Sequence, residues 1–186
     1  MLFCDLAFLV EPGELMLLAG PNGSGKSSLM RAMAGLLPLE AGEIRWGDAP
    51  AGEGFSGFLS YLGHADACKP TLTVAENLGF HADLVGRADA VEAALERVGL
   101  GKLKHRPGRQ LSSGQRRRLS LARVIAAARP LWLLDEPTVG LDQDGRAVVA
   151  DLLSAHLAAG GLAIVATHQE LGAPAARSLN PADFRA

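Results

Sequence analysis

Short apolar segments alternate with stretches of helical periodicity along most of the chain. Each apolar segment is bounded by turn-forming or charged residues, which is typical of strands, and the segments cover residues 6–10, 15–19, 58–62, 131–134 and 162–166. Apolar positions at helical spacing predict helices after residue 26, within 70–129 and over 146–159. Strands that alternate with helices predict an α/β fold with a mostly parallel sheet.

Start and stop signals place several helix ends. Asp89 and Glu92 fit a capping box ahead of one helix. Ser112 or Ser113 is expected to cap the next helix. Residues 46–57 are rich in glycine, alanine and proline, and we interpret this stretch as a series of turns.

The chain of 186 residues has the length of one domain with a single large core. We expect residues 1–186 to form one domain, with residues 1–63 and 130–186 as its core and about 70–129 as a helical subdomain. No apolar run approaches the roughly 18 residues of a membrane span. The formal net charge of -2 argues against attraction of nucleic acid by the protein as a whole.

A glycine-rich loop follows the second predicted strand and opens a helix. It reads Gly20, Pro21, Asn22, Gly23, Ser24, Gly25, Lys26 and Ser27, followed by Ser28. This sequence fits the phosphate-loop pattern GxxxxGK[ST], in which glycines let backbone N–H groups converge on phosphate oxygens. The pattern predicts a site for ATP, where Lys26 meets the β- and γ-phosphates and Ser27 ligates Mg2+.

Two carboxylates follow the apolar run 131–134. Asp135 and Glu136 therefore lie at the carboxyl end of a buried strand, the edge where α/β sheets bind ligands. Asp135 suits the coordination sphere of Mg2+, and Glu136 is the candidate to polarise the water that attacks the γ-phosphate. An acidic pair at the start of a helix is the structural alternative.

A second cassette, LSSGQ, begins at Leu111. It contributes Ser112, Ser113, Gly114 and Gln115. Its serine and glycine stand at the start of a predicted helix, where hydroxyl, backbone N–H groups and helix dipole favour an anion. Taken alone, the cassette is as well explained by an ordinary N-cap.

The order of these three motifs, with Thr167-His168 after the last strand, resembles the ATP-binding subunits of ABC transporters. The resemblance implies that LSSGQ contacts the nucleotide bound by a second subunit, so that a homodimer has two composite sites. It also implies that the segment ending in Asp142 is the D-loop, and that His168 contacts the γ-phosphate.

The chain departs from this family at two places. The family has a glutamine after the strand that contains Tyr61, whereas His64 stands there in this chain. The resemblance implies that His64 takes over that catalytic position, next to a membrane partner; an ordinary loop histidine is the alternative. His64 and Cys68 lack the further ligands of a metal or haem site. The family also begins with another strand and an aromatic residue that stacks on adenine, for which Phe3 is a weak substitute here. We therefore expect either a native start upstream of Met1 or loose binding of adenine.

A basic run follows the cassette, made of Arg116, Arg117, Arg118 and Arg123. Its short length and the acidic total charge favour a solvated helix face and no contact with nucleic acid.

Longer matches narrow the resemblance within the family. They are YLGH from Tyr61, LTVAENLGF from Leu72, SSGQRRRLSLAR from Ser112 and THQ from Thr167. These segments look most like the haem exporter ATPase of bacterial cytochrome c maturation. The likeness implies a peripheral subunit at the cytoplasmic face of the inner membrane, which works with integral membrane subunits in haem export or in release of haem from its chaperone. The alternatives are the ATPase of another small ABC transporter and a nucleotide-gated binding module with little hydrolysis.

Overall fold

The computed structural model describes residues 3–47, 49–50, 57–169, 171–172 and 177–184. The strands are β1 (Leu15–Leu18), β2 (Arg45–Trp46), β3 (Ala49–Pro50), β4 (Leu59–Leu62), β5 (Leu131–Asp135), β6 (Leu162–Ala166) and β7 (Arg177–Leu179). The α-helices are α1 (Lys26–Met33), α2 (Val74–Leu84), α3 (Val91–Arg97), α4 (Ser113–Ala127) and α5 (Gln143–Ala158). No helix in the described ranges is long and apolar enough to span a membrane.

The main sheet is parallel throughout, as the sequence predicts. Its strand order is β4-β5-β6-β1-β7, and all four neighbouring pairs are parallel. Every residue of β5 and β6 is buried, because central strands of a parallel sheet are covered by helices on both faces. The short strand β7 has only three residues and an exposed pattern, so its sequence carried no signal.

Alternate residues of the central strands enter two separate cores. Leu131 and Leu133 pack with the buried residues of α1, whereas Trp132 and Leu134 pack with α4 and α5. This alternation follows from the two-residue period of a strand. The sheet is therefore a middle layer, and its strands β1, β4, β5 and β6 all point their carboxyl ends to one edge.

The predicted strand over residues 6–10 does not form. Leu6, Phe8 and Val10 do pack against the core on the α1 side, while Ala7 and Leu9 between them are exposed. A strand also requires the backbone of a neighbour. Here the carbonyl oxygen of Leu9 accepts instead from Nη1 of Arg177 at 3.1 Å.

The predicted capping box at Asp89 and Glu92 is also wrong. Residues 88–90 form a 3-10 turn, and α3 begins without a side-chain cap. Glu92 pairs instead with Lys104 at 2.7 Å. A complete capping box occurs at the start of α2, where Thr73 and Glu76 satisfy each other's backbone N–H groups.

The stretch over 46–57 is not made of turns alone. Residues Arg45–Trp46 pair with Ala49–Pro50 in an antiparallel hairpin, while residues 48 and 51–56 lie outside the described ranges. A hairpin this short lacks the alternating apolar pattern that would reveal it in the sequence.

Candidate functional site

The loop between β1 and α1 owes its course to glycines. Gly20, Gly23 and Gly25 have φ angles of 115°, 77° and 95°, in the left-handed region that glycine adopts without a Cβ clash. A Cβ at Gly20 would overlap the side-chain amide of Asn180, and one at Gly25 would overlap the ring of Phe3. Residues of this loop therefore fold into the strand, loop and helix arrangement that gives the phosphate-loop motif its meaning.

The N-terminus of α1 has backbone donors and no side-chain cap. Its N-cap is Gly25, whereas side-chain oxygens of Thr73, Ser112 and Asp142 cap α2, α4 and α5. The first N–H groups of a helix have no partner within it, and the helix dipole places partial positive charge there. Ser24 is 1% exposed, and its hydroxyl has no hydrogen-bond partner in the described part of the chain. This helix end is suited to an anion.

The ammonium group of Lys26 is held over the same loop. Its Nζ donates to the carbonyl oxygens of Gly20 at 2.8 Å and Pro21 at 3.0 Å. It also lies 3.3 Å from Nε2 of His168. The phosphate loop and the end of β6 thus meet at one cation.

The carboxyl ends of β5 and β6 bring an acid, a hydroxyl and an imidazole together. Oε2 of Glu136 accepts from the Thr167 hydroxyl at 3.2 Å, and Oε1 lies 3.7 Å from Nε2 of His168. Asp135, the preceding residue, is 4% exposed. The side chain of Glu136 is 19% exposed and that of His168 45%, so the carboxylate is sheltered while the imidazole faces solvent.

The backbone of Glu136 takes an uncommon conformation. Its φ is 50°, a region that residues with a Cβ seldom occupy. Its N–H donates to the Ala166 carbonyl at 2.8 Å. Strained backbone of this kind persists where surrounding contacts hold it, often at functional sites.

Tyr61 on β4 borders Asp135 from the neighbouring strand. Burial raises the pKa of Tyr61 and the charge of Asp135 raises it further, while a hydrogen bond with Arg31 acts in the opposite direction. The phenol therefore remains a hydrogen-bond donor at neutral pH.

The LSSGQ cassette lies at the N-terminus of α4, as the sequence predicts. Ser112 accepts from the N–H of Gln115 at 3.2 Å, and the Gln115 side chain accepts from the N–H of Ser112 at 3.0 Å. Ser112 and Ser113 are exposed. A Cβ at Gly114 would lie 2.9 Å from the carbonyl oxygen of Gly140. The glycine thus lets α4 approach the segment after β5 closely.

Asp142 acts as a helix cap in this structure. Its Oδ1 accepts from the N–H of Gly145 at 2.8 Å and so starts α5 at Gln143, three positions before the predicted start at Arg146. The residue is exposed.

The prediction that the basic run forms a solvated helix face is wrong for Arg117. This side chain is 5% exposed. Its guanidinium donates to the backbone carbonyls of Gly63, Asp135 and Glu136. Arg117 is four residues before buried Leu121, so the two lie on the same face of α4. This helical spacing is the sequence signal that would have predicted burial of Arg117.

Arg123 is a second exception on the same helix. It donates to the carbonyls of Asp66 at 2.8 Å and Ala67 at 3.0 Å. Burial lowers the pKa of Arg123, as it does for Arg117. Both side chains thus fasten the loop after β4 to α4.

His64 lies in that loop and is exposed. The carbonyl of Gly63 just before it is bound by Arg117 at 2.8 Å, so the segment that carries His64 is tied to the end of β5. No group of three or more His, Cys, Asp or Glu side chains in the described ranges is arranged to hold a metal ion. His64 and Cys68 therefore stay without companion ligands in that part of the chain.

Comparisons with known proteins show the family to which the chain belongs. A family model described as ABC transporter matches residues 3–139. The cytochrome c biogenesis ATP-binding export protein CcmA of Paramagnetospirillum magneticum is 48% identical over 98% of this chain and 88% of its own length. The protein of the same name from Paracoccus denitrificans is 47% identical over 97% of this chain and 82% of its own length.

A solved structure shares the fold. It is described as an ABC transporter ATP-binding protein from Pyrococcus furiosus, with a TM-score of 0.82, 26% identity, and coverage of 95% of this chain and 88% of that one. The chain therefore belongs to the ABC transporter family of ATP-binding proteins, in the group of cytochrome c biogenesis ATP-binding export proteins CcmA.

Proposed function

We propose that this chain is the ATP-hydrolysing subunit of an ABC-type membrane complex for cytochrome c biogenesis, and that hydrolysis drives haem export or release of haem from its chaperone. The observation that supports ATP hydrolysis is that Lys26, Glu136 and His168 meet at one edge of the sheet. Nε2 of His168 lies 3.3 Å from Nζ of Lys26 and 3.7 Å from Oε1 of Glu136. The names of the relatives supply the biological setting.

The phosphates of ATP bind to the loop from Gly20 to Ser28. Backbone N–H groups at the start of α1 donate to phosphate oxygens, and the Lys26 ammonium neutralises charge on the β- and γ-phosphates. The buried Ser24 hydroxyl, which has no partner in the described ranges, completes the loop. Pro21, Asn22 and Gly23 set its curvature, since their backbone forms a turn.

Mg2+ would be held by the Ser27 hydroxyl and the Asp135 carboxylate. Both are oxygen donors, the type that magnesium prefers; Ser27 lies in the first turn of α1, and Asp135 is the last residue of β5. The ion, when bound, neutralises charge that develops on the phosphates.

Glu136 polarises the attacking water. Its carboxylate is oriented by the Thr167 hydroxyl and by the backbone bond to Ala166, so it is positioned before the reaction, which is the main requirement in phosphoryl transfer. His168 contacts the γ-phosphate, and His64, an exposed residue of the loop after β4, is a further catalytic group.

Two copies of the chain form the working unit. The exposed N-terminus of α4, with Ser112, Ser113, Gly114 and Gln115, binds the nucleotide held by the other copy. The segment that ends in Asp142 packs against this helix end within one chain and lies at the interface of the homodimer.

The dimer is peripheral and binds integral membrane subunits of the cytochrome c maturation system at the cytoplasmic face of the inner membrane. The net charge of -2 supports the view that no nucleic acid is bound. Residues 1–186 act as one ATPase domain, with the packed helices α2, α3 and α4 as its helical subdomain.

The experiment compares c-type cytochromes in cells that carry the native chain or Glu136→Gln. Haem staining of membrane proteins is expected to show c-type cytochromes lost in the variant, while the tagged chain still copurifies with integral membrane maturation proteins. Normal cytochrome levels with an equally abundant variant would show that hydrolysis by this chain serves another process.

A further inference from the structure

Arg117 is a buried cation that donates hydrogen bonds to three backbone carbonyls. The family motifs assign it no role. Its Nη1 donates to the Gly63 carbonyl at 2.8 Å and lies 3.5 Å from Oδ1 of Asp66. Its Nη2 donates to the Glu136 carbonyl at 2.8 Å and to the Asp135 carbonyl. One planar group thus binds the end of β4 and the end of β5 together.

The guanidinium geometry suits this task. Its N–H groups point in fixed directions within one plane, so two nitrogens reach carbonyls on two strands at once. A lysine would present a single nitrogen that cannot occupy both places. Because a buried guanidinium needs acceptors for its donors, the carbonyls at the two strand ends are also what makes its burial tolerable.

The hydrogen bonds of Arg117 fix the backbone of Glu136, the residue proposed to polarise the attacking water. Glu136 has its φ at 50°, its N–H bound to Ala166 and its carbonyl bound to Arg117. Contacts on both sides of the residue hold the uncommon conformation. That conformation sends the Glu136 carboxylate toward Thr167 and His168.

We propose that Arg117 is a positioning residue for ATP hydrolysis: it ties the helix that begins with LSSGQ to the backbone of Asp135 and Glu136. The proposal rests on the proposed function for its kinetic consequence. The same α4 therefore presents the cassette to a second copy at its N-terminus and, through Arg117, aligns the carboxylate of its own chain.

Arg117→Lys tests the proposal, and Arg123→Lys is the matched control. Both arginines lie on α4, Arg117 buried and Arg123 half-buried. Both bind backbone carbonyls of the 63–67 loop, but of the two only Arg117 bonds to residues 135 and 136. Hydrogen exchange of the full chain is measured by mass spectrometry on a peptide that covers 131–139. Arg117→Lys is expected to speed exchange there by about threefold or more, and Arg123→Lys to leave it unchanged.

Turnover supplies the second readout, in the complex with its membrane partners. Arg117→Lys is expected to lower kcat about tenfold or more while KM for ATP stays within about twofold, and Arg123→Lys to retain the native kcat. Arg117→Gln, which keeps a planar donor group, serves if the lysine variant does not fold. Equal exchange over 131–139 in the Arg117 variants and Arg123→Lys overturns the proposal, as does an equal kcat.

Glu136→Gln is measured alongside these variants. If Glu136→Gln hydrolyses ATP like the native chain, the proposed function fails, whereas the exchange experiment still decides the role of Arg117.

Discussion

Nζ of Lys26 lies 3.3 Å from Nε2 of His168, although the two residues are 142 positions apart in the chain. An ammonium group has only donors, so this contact requires Nε2 to accept and the ring proton to sit on Nδ1. In that tautomer the 3.7 Å approach of Nε2 to the Glu136 carboxylate is no hydrogen bond, and Glu136 takes its hydrogen bond from Thr167 instead. The contact with Lys26 thus determines the tautomer of His168.

Lys26→Met is expected to weaken ATP binding about tenfold or more, because a hydrogen bond to a charged group is worth about 1.5–3 kcal/mol. The dissociation constant of a fluorescent ATP analogue in the presence of Mg2+ measures this loss. Lys102→Met is the control, since Lys102 is an exposed lysine in the 101–103 turn. Binding by Lys26→Met that matches the control would remove Lys26 from the proposed site.

Glu136→Gln is expected to lower the rate of phosphate release about a hundredfold, as the loss of a general base does, and to leave ATP binding intact. The amide has nearly the same shape and still accepts from Thr167. Since ATP then persists, light scattering should detect dimers with ATP and Mg2+. Asp144→Asn, an exposed acid in the first turn of α5, should behave like the native chain. A native rate of phosphate release from a Glu136→Gln protein that stays monomeric contradicts both roles.

Gly114→Ala is expected to destabilise the fold by about 1–3 kcal/mol, the usual range for overpacking, because its Cβ would lie 2.9 Å from the Gly140 carbonyl. Gly79→Ala is the matched control inside α2, where a Cβ meets nothing within 4 Å. This second change should stabilise the helix by about 0.5–1 kcal/mol. Urea unfolding measures both, and equal effects of the two substitutions would mean that α4 can move away from Gly140.

Stability should fall as the pH drops below neutrality. Burial lowers the pKa of His156 and, with the charge of Arg123, that of His81, from the ordinary value of 6.5. The unfolded chain then binds more protons than the folded chain, so the free energy of unfolding decreases as pH falls through 6.5 toward the lower folded pKa. Glu14 and Glu76, whose pKa values are lowered from 4.5, contribute only at more acidic pH.

Chemical denaturation at pH 7.5, 6.5 and 5.5 measures this dependence, and the double variant His81→Gln/His156→Gln should flatten it. His105→Gln, at an exposed position, is expected to keep the native slope. A slope that survives in the double variant assigns the effect to other groups.

Much of the fold could be predicted because its central strands are buried on both faces. Residues 131–134 of β5 and all of β6 are continuous apolar runs. Such runs can be identified from the sequence alone, without knowing which strands lie beside them. The segments at the margin of the sheet were harder to predict from the sequence. Residues 6–10 are apolar throughout but pair with no strand in the described ranges, while Arg177–Leu179 pair with β1 with no apolar pattern at all.

The candidate site, too, has features that the sequence predicts and features that it does not. The phosphate loop and the cap at Ser112 depend on local backbone chemistry, which adjacent residue types reveal. The role of Arg117 depends on residues from 63 to 136 being brought to one guanidinium. In the sequence it is one of a run of arginines, and a charge run ordinarily predicts a solvated face.

By itself the sequence determined the parallel α/β architecture, the phosphate loop, the acidic pair after β5 and the cassette at the start of α4, because periodicity, glycine conformation and helix capping act over a few residues. Only the tertiary structure decided that Lys26 meets His168, that Gly114 makes room for Gly140, and that Arg117 is buried beneath Glu136. Those contacts join segments that are apart in the chain, and the packing of the sheet against its helices determines which of them meet.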